Sequence, residues 1–283
     1  MKTEKVWFIT GASRGLGLAI TEAVLQSGEK VVATVRTGAS LLRERFKSEN
    51  LFVAELDVTD AVQAKDVFEQ GVAHFGKIDV LLNNAGFGLL SAVEEGSDDE
   101  IRKMFDTNVF GLLNVTRATL PYFRERRSGH IINVSSVGGL IGSAGWGLYN
   151  ATKFAVEGLS EALAKELKPL GIDVTIVEPG YFRTNFLDGS SLTTSTNVIE
   201  DYKDTSGKMR GFAQQVSYNQ PGDPVKLAQA LVKVGMSEQP PLHLLLGKDT
   251  LFNFRNKLSA LEKDIETWHD TTVGTDHDDV NQS

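Results

Sequence analysis

The chain has 283 residues, 41% hydrophobic and 23% charged, with 27 glycines against 7 prolines, as in a globular protein rich in tight turns and poor in low-complexity disorder. Its 29 basic and 37 acidic side chains leave a net charge of −8, which argues against a surface that tracks a phosphate backbone, so no nucleic-acid partner is expected. It has no cysteine, hence no disulfide or thiolate metal site; no signal-like apolar region precedes the first strand and no apolar run suits a membrane span, so a cytoplasmic protein without a membrane anchor is expected.

In chain order, an apolar, β-branched run at 6–10 predicts the first strand, and the turn Thr10-Gly11-Ala12-Ser13-Arg14-Gly15-Leu16-Gly17 leads into a helix at 15–26 that Gly28 stops. Strands follow at 30–35 and 51–56, with helices at 39–47 and 61–74, and Gly76 closes the second of these. A strand at 80–83, a long helix at 99–126 and a strand at 130–135 come next. A helix at 149–167 ends at Lys168-Pro169-Leu170-Gly171, before a strand at 173–177, a helix at 225–236 and a strand at 242–246. The seven strands are continuously apolar rather than alternating, which indicates burial on both faces and a doubly wound, mainly parallel α/β sheet. No linker divides the chain, so one domain over 1–283 is expected. The segment 188–218, within a substrate-loop insertion at about 187–220, lacks periodicity and reads as a cover over the sheet edge. The acidic, polar tail at about 271–283 is expected to be loosely ordered.

The glycine turn lies between a strand and a helix, where backbone amides and a helix N-terminus can meet a pyrophosphate. The second strand ends in Thr34-Val35-Arg36-Thr37, which offers no carboxylate for a ribose 2′-hydroxyl but a guanidinium suited to a 2′-phosphate. Arg14 can approach the same phosphate, so NADP(H) is favoured over NAD(H). Asp57 follows the third strand and can accept from an adenine amino group or cap the helix after it. Asn83-Asn84-Ala85-Gly86 ends the fourth strand on the side of the glycine turn, either as ligand contacts or as a turn. Tyr149 and Lys153 are four apart on one helix face. The ammonium is thus placed to lower a phenol that otherwise titrates near ~10. The five histidines lack metal-ligand spacing, so no metal site is expected.

Thr10-Gly11-x-x-x-Gly15-x-Gly17, Asp57, Asn83 to Gly86, Asn108, Ser136, Tyr149-x-x-x-Lys153 and Pro179-Gly180, in this order, resemble the short-chain dehydrogenase/reductase family over about residues 5 to 250. The resemblance implies a Rossmann-type fold and a homodimer or homotetramer built partly on the helices at 99–126 and 149–167. It implies that Tyr149 exchanges a proton with a carbonyl or alcohol oxygen that Ser136 holds. Lys153 would lower the tyrosine pKa and bind the nicotinamide ribose, and Asn108 would support Lys153 through a water. The cofactor contacts carried over are Gly11, Ser13, Arg14, Gly15, Leu16, Gly17, Arg36, Asp57, Val58, Asn84, Ala85, Gly86, Tyr149, Lys153, Pro179 and Gly180, with Thr184 at the nicotinamide amide or diphosphate. Substrate choice in the family lies in two loops, which here hold Val137, Leu140, Ile141 and Trp146 on one side and Phe182, Phe186, Leu187 and Leu192 on the other, implying an apolar pocket. The style of these loops is similar to the 17β-hydroxysteroid, retinol dehydrogenase and bacterial carbonyl reductase branch. The expected activity is NADPH-dependent reduction of aldehydes or apolar ketones. The alternatives are oxidation of a steroid-like or other hydrophobic alcohol, and an NADPH sensor without turnover.

Overall fold

The computed structural model describes residues 4–189 and 191–277. Its strands are β1 (Val6–Ile9), β2 (Lys30–Val35), β3 (Leu51–Glu55), β4 (Val80–Asn83), β5 (Gly88–Leu90), β6 (Gly129–Val134), β7 (Ile172–Pro179), β8 (Leu192–Thr194) and β9 (His243–Leu246). Seven of them form one sheet in the order β3-β2-β1-β4-β6-β7-β9, and every pairing in it is parallel. The chain therefore starts at β1, winds to β3, returns to β4 and winds the other way, so a crevice opens between the carboxyl ends of β1 and β4. The expected doubly wound architecture is the observed one.

The helices are α1 (Gly15–Gln26), α2 (Ala39–Phe46), α3 (Ala61–Phe75), α4 (Asp98–Phe105), α5 (Leu112–Arg126), α6 (Val137–Leu140), α7 (Gly147–Leu167), α8 (Lys208–Val216), α9 (Pro224–Gly235), α10 (Lys248–Thr267) and α11 (His269–Val273). One sheet face carries a core of Val6, Phe8, Val32, Leu81 and Ile131 under residues of α3, α5 and α7. The other carries Trp7, Ile9, Val31, Leu82 and Val177 under α1, α2 and α9. Two buried faces explain why the strands read as unbroken apolar runs.

Three expectations need correction. The helix at 99–126 is interrupted by a π-helical turn, Asp106–Gly111, between α4 and α5. Asn108 sits in that turn with its amide engaged outside the helix, donating to the Phe87 carbonyl at 2.8 Å and accepting from its N–H at 3.0 Å; such bulges recur where a helix serves a site. The segment 188–218 is built rather than irregular. It contains β8, paired in parallel with β5, and α8, whose Arg210 makes an ion pair of 2.7 Å with Glu95. Glu95 also accepts from the backbone of Ala92 at 2.7 Å and Ile199 at 3.0 Å. This carboxylate, its side chain fully buried, ties the segment to the body through contacts distant in sequence. Finally, the chain beyond β9 is helical over α10 and α11, so 271–273, the first residues of the segment expected to be loosely ordered, are helical; residues 278–283 lie outside the described residues.

Within β6, His130 is 4% exposed. Thr175 Oγ1 donates to the Pro241 carbonyl at 2.6 Å, so it accepts from His130 Nε2, 2.9 Å away. Burial pulls the imidazole down to about 3. The unfolded chain therefore takes up a proton below about pH 6.5 that the folded chain refuses. This stabilisation is complete above about pH 6.5 and is lost as pH falls toward the folded value, by about 1.4 kcal/mol per unit. In urea unfolding, the native protein should lose about 1 kcal/mol more than His130→Gln between pH 6.5 and pH 5.5.

Candidate functional site

A cleft of about 620 Å³ runs along the carboxyl edge of the sheet, from Gly11, Arg14 and Arg36 at one end to Trp146, Phe186 and Leu192 at the other. Its floor depends on Thr10. The hydroxyl of Thr10 accepts from the N–H groups of Asn84 at 2.9 Å and Ala85 at 3.0 Å. In return the Asn84 amide donates to the carbonyls of Thr10 at 2.9 Å and Gly11 at 3.1 Å. Close approach sets the glycines: a Cβ on Gly11 would lie 2.9 Å from Ala85 Cα, and one on Gly17 only 2.3 Å from the Gly11 oxygen. No side chain caps α1 and no acidic residue occupies its first turn, so its N-terminal amides remain available to an anion at the cleft.

Arg36 is exposed at the cleft rim, whereas Val35 beside it is 1% exposed and belongs to the core. Cofactor choice is therefore probed at Arg36, since a carboxylate at Val35 would report its own burial. Arg14 lines the same end and donates from Nε to Ser191 Oγ at 3.1 Å. Asp57 does not cap the next helix. That role falls to Asp60, which accepts from Val62 at 2.9 Å and Gln63 at 3.0 Å. Asp57 instead accepts from the hydroxyl and N–H of Thr59 at 2.7 and 3.0 Å. Those bonds, with Arg36 nearby, hold its carboxyl below the ordinary value, and it lines the cleft with Val58.

Ser136 precedes α6, where its hydroxyl accepts from Gly138 N at 3.0 Å. Tyr149, 8% exposed, lies in the first turn of α7. Burial pushes its phenol up to about 12, against a hydrogen bond with Ser136 that favours ionisation. The expected lowering by Lys153 is thus not the dominant effect. Lys153 Nζ donates to the Val134 carbonyl at 2.9 Å and lies 5.7 Å from the Tyr149 ring centroid; burial pulls its own ammonium down to about 8, with Glu157 one turn along α7 opposing. Glu157, buried beside Glu178 and His243, is pushed up to about 7 by its burial. His243 Nδ1 meets Glu178 Oε1 at 2.8 Å. Nothing in the spacing of 157, 178 and 243 signals this grouping, which three different elements create.

Ser13, Gly15, Leu16, Ala85, Gly86, Val137, Pro179, Gly180, Phe182, Thr184 and Leu187 also line the cleft. Asn108 and Lys153 stand behind its wall. Both are near Gly86, where a Cβ would lie 3.1 Å from Asn108 Oδ1 and 3.8 Å from Lys153 Nζ. Asn108 also donates to Thr152 Oγ1 at 3.2 Å. The apolar end is an aromatic wall: Trp146 packs on Tyr149 with centroids 5.6 Å apart, and Tyr149 on Phe186 at 6.0 Å. Leu192, Phe87 and Met209 join it. Phe182, besides lining the cleft, packs against the core under α1 and α9 and bridges to Gly222. Leu140 is buried in α6. Phe87, Glu95 and Asp249 were not anticipated. Asp249 accepts from Tyr181 N at 2.8 Å and fills the space a Cβ on Gly180 would need.

The residues present suit a dinucleotide: an uncapped helix start, a turn without room for side chains, a guanidinium at one end and a buried phenol at the other. Gly17→Ala should weaken binding of a reduced nicotinamide dinucleotide by about tenfold or more, through displacement of the Gly11 carbonyl; cofactor fluorescence on titration with NADPH and with NADH would measure it.

The family model for short chain dehydrogenase matches residues 5–194. The chain is 40% identical to the oxidoreductase BOA17 of Botryotinia fuckeliana over 96% of this chain and 99% of that one. It is 37% identical to a 3-ketodihydrosphingosine reductase of Bacteroides thetaiotaomicron over 86% and 88%. Among solved structures, a short-chain dehydrogenase from Streptomyces avermitilis superposes with a TM-score of 0.89 at 40% identity, covering 97% of this chain and all of that one. The closed form of a serine dehydrogenase complexed with NADP+ superposes with a TM-score of 0.72 at 30% identity over 85% and 94%. The chain belongs to the short-chain dehydrogenase/reductase family of oxidoreductases.

Proposed function

We propose that the protein is an NADPH-dependent reductase of aldehydes or apolar ketones. The observation that carries this reading is the placement of the Tyr149 phenol, hydrogen-bonded with Ser136 and lining the cleft where its polar end meets the aromatic wall of Trp146 and Phe186. A buried phenol is protonated at neutral pH and can give its proton to a carbonyl oxygen; the same group takes it back in the reverse direction, so the reducing direction rests on the cofactor and not on the phenol. The nicotinamide cofactor supplies the hydride. Ser136 holds the substrate oxygen and Tyr149 delivers the proton to it, so that charge developing on that oxygen is met by donors already in place. Lys153 bears on the ribose and on the phenol, with Asn108 behind it as a positioning residue. The α1 N-terminus, Gly11, Ser13, Gly15 and Gly17 take the pyrophosphate, Asp57 and Val58 the adenine, Arg36 and Arg14 the 2′-phosphate, and Asn84, Ala85, Gly86, Pro179, Gly180 and Thr184 the nicotinamide half.

The wall of Trp146, Phe186, Leu187 and Leu192 suits a substrate that buries hydrocarbon, and excludes water from the reacting carbonyl. A relative named as a 3-ketodihydrosphingosine reductase supports the direction, and a neighbour complexed with NADP+ supports the cofactor. On this reading the protein is cytoplasmic; among the described residues no helix is long and apolar enough to cross a membrane.

The test is oxidation of NADPH and NADH against a panel of aldehydes, aryl ketones and long-chain ketones. Tyr149→Phe should reduce turnover at least a thousandfold while NADPH still binds; retained carbonyl reduction in that variant would remove the phenol from the mechanism. Arg36→Ala should raise KM for NADPH about tenfold or more and leave KM for NADH within about twofold, since one charge-assisted contact contributes about 1.5–3 kcal/mol. Equal effects on the two cofactors would overturn the 2′-phosphate assignment.

A further inference from the structure

Among the described residues, the side-chain contacts that anchor α10 to the body lie in its first half. Asp249 holds the Tyr181 amide, and Lys257 donates to the Leu140 carbonyl and lies over the Phe154 ring at 4.8 Å. From Leu258 to His277 every described residue is exposed. Yet the helix carries large apolar residues at alternating steps of three and four: Leu251, Phe254, Leu258, Leu261, Ile265 and Trp268. Leu258 is 49% exposed, Leu261 46%, Ile265 57% and Trp268 62%. Most helices in water are held by burying such a stripe, and a repeat of 3.5 residues is the seam by which one helix packs along another. Among the described residues, the half of α10 that projects has nothing of its own chain to pack on.

We propose that α10 pairs antiparallel with α10 of a second copy of this chain, across a two-fold axis between Leu258 and Leu261. Reversal sets Leu258 against Leu261 of the second copy, Phe254 against Ile265 and Leu251 against Trp268, so each apolar residue meets one of the other helix. It also sets Arg255 beside Glu262 of the second copy, and two-fold symmetry makes that pair twice. A parallel pair offers Arg255 no carboxylate at its level, and it crowds both bodies, each attached at the start of α10, at one end of a rod about 30 Å long. The antiparallel arrangement places them at opposite ends. A lipid surface fits less well, because Glu262, Asp264, Glu266 and Asp270 outnumber Lys263 on the free half and repel anionic headgroups. This interface is separate from the long helices α5 and α7, and it does not rest on the proposed activity.

The experiment uses the full chain. Sedimentation equilibrium at tens of micromolar should give an assembly whose mass halves in Leu258→Glu/Ile265→Glu, with the thermal midpoint and circular dichroism of the body retained, as both side chains are exposed. A native monomer, or an unchanged mass in the variant, would overturn the proposal. Because the protein has no cysteine, introduced thiols report the direction. Chains carrying Leu251→Cys mixed with chains carrying Trp268→Cys should form a disulfide on oxidation that neither forms alone. Self-cross-linking of Leu251→Cys alone would mean a parallel pair and overturn the antiparallel arrangement.

Discussion

The hydrogen bonds between Thr10 and the Asn84-Ala85 backbone are the constraint on which the cleft depends. They join the ends of β1 and β4 at the place where the sheet reverses its winding, and so hold the glycine turn against the turn after β4. The Asn84 amide returns the bonds to the carbonyls of Thr10 and Gly11, leaving the turn's own amides for a ligand. The arrangement continues inward: Asn83 donates to Thr116 and to Asn133, both at 2.9 Å, and Asn133 to Ser160 at 2.8 Å. This buried polar chain spans β4, β6, α5 and α7. It fixes α7, and with it Tyr149 and Lys153, relative to the glycine turn. Polar networks of this kind rigidify a core to the extent that their members are paired; here Asn83 Oδ1 has no partner among the described residues.

Electrostatics at the other end of the cleft are set by burial before they are set by neighbouring charge. Tyr149 and Lys153 are both almost out of water, so the phenol rises and the ammonium falls, each toward its neutral form. Glu157 pulls the lysine back, and is itself pushed up to about 7 in its pocket with Glu178 and His243. The protonation of the Tyr149-Lys153 pair is thereby linked to a second layer of ionisable groups on β7 and β9. Spacing on α7 places the ammonium near the phenol, but desolvation decides the direction of the phenol's shift.

Much of the fold was legible. The strands of the large sheet could be read because double burial turns them into continuous apolar runs, and the helix ends at Gly28, Gly76 and Gly171 because each of those glycines has positive φ. The π-helical turn was not legible: α4 and α5 carry one helical pattern, and the interruption comes from Asn108 bonding to Phe87, 21 residues away. Nor was the order in the segment 188–218, where Gly88 pairs with Leu192 and Glu95 with Arg210. The helix α10 is a different case. Its three-four repeat stands in the sequence in plain view, yet the predicted elements stop at the strand at 242–246, because the polar residues that surround the repeat dilute its apolar signal.

For the site, the sequence by itself determined which chemical groups exist and which lie within a turn of each other: the glycine turn, Arg36, and Tyr149 with Lys153 on one helix face. These are local facts, governed by φ, by helix geometry and by the charge a side chain carries. Tertiary structure alone decided that Asp60 and not Asp57 caps α3, that Phe182 packs into the core while Phe186 joins the aromatic wall, and that Glu157, Glu178 and His243 meet. It also decided that the phenol stands above its ordinary pKa. The reason is common to all of these: burial and long-range hydrogen bonding depend on which elements the sheet order brings side by side, and no period within one segment encodes that.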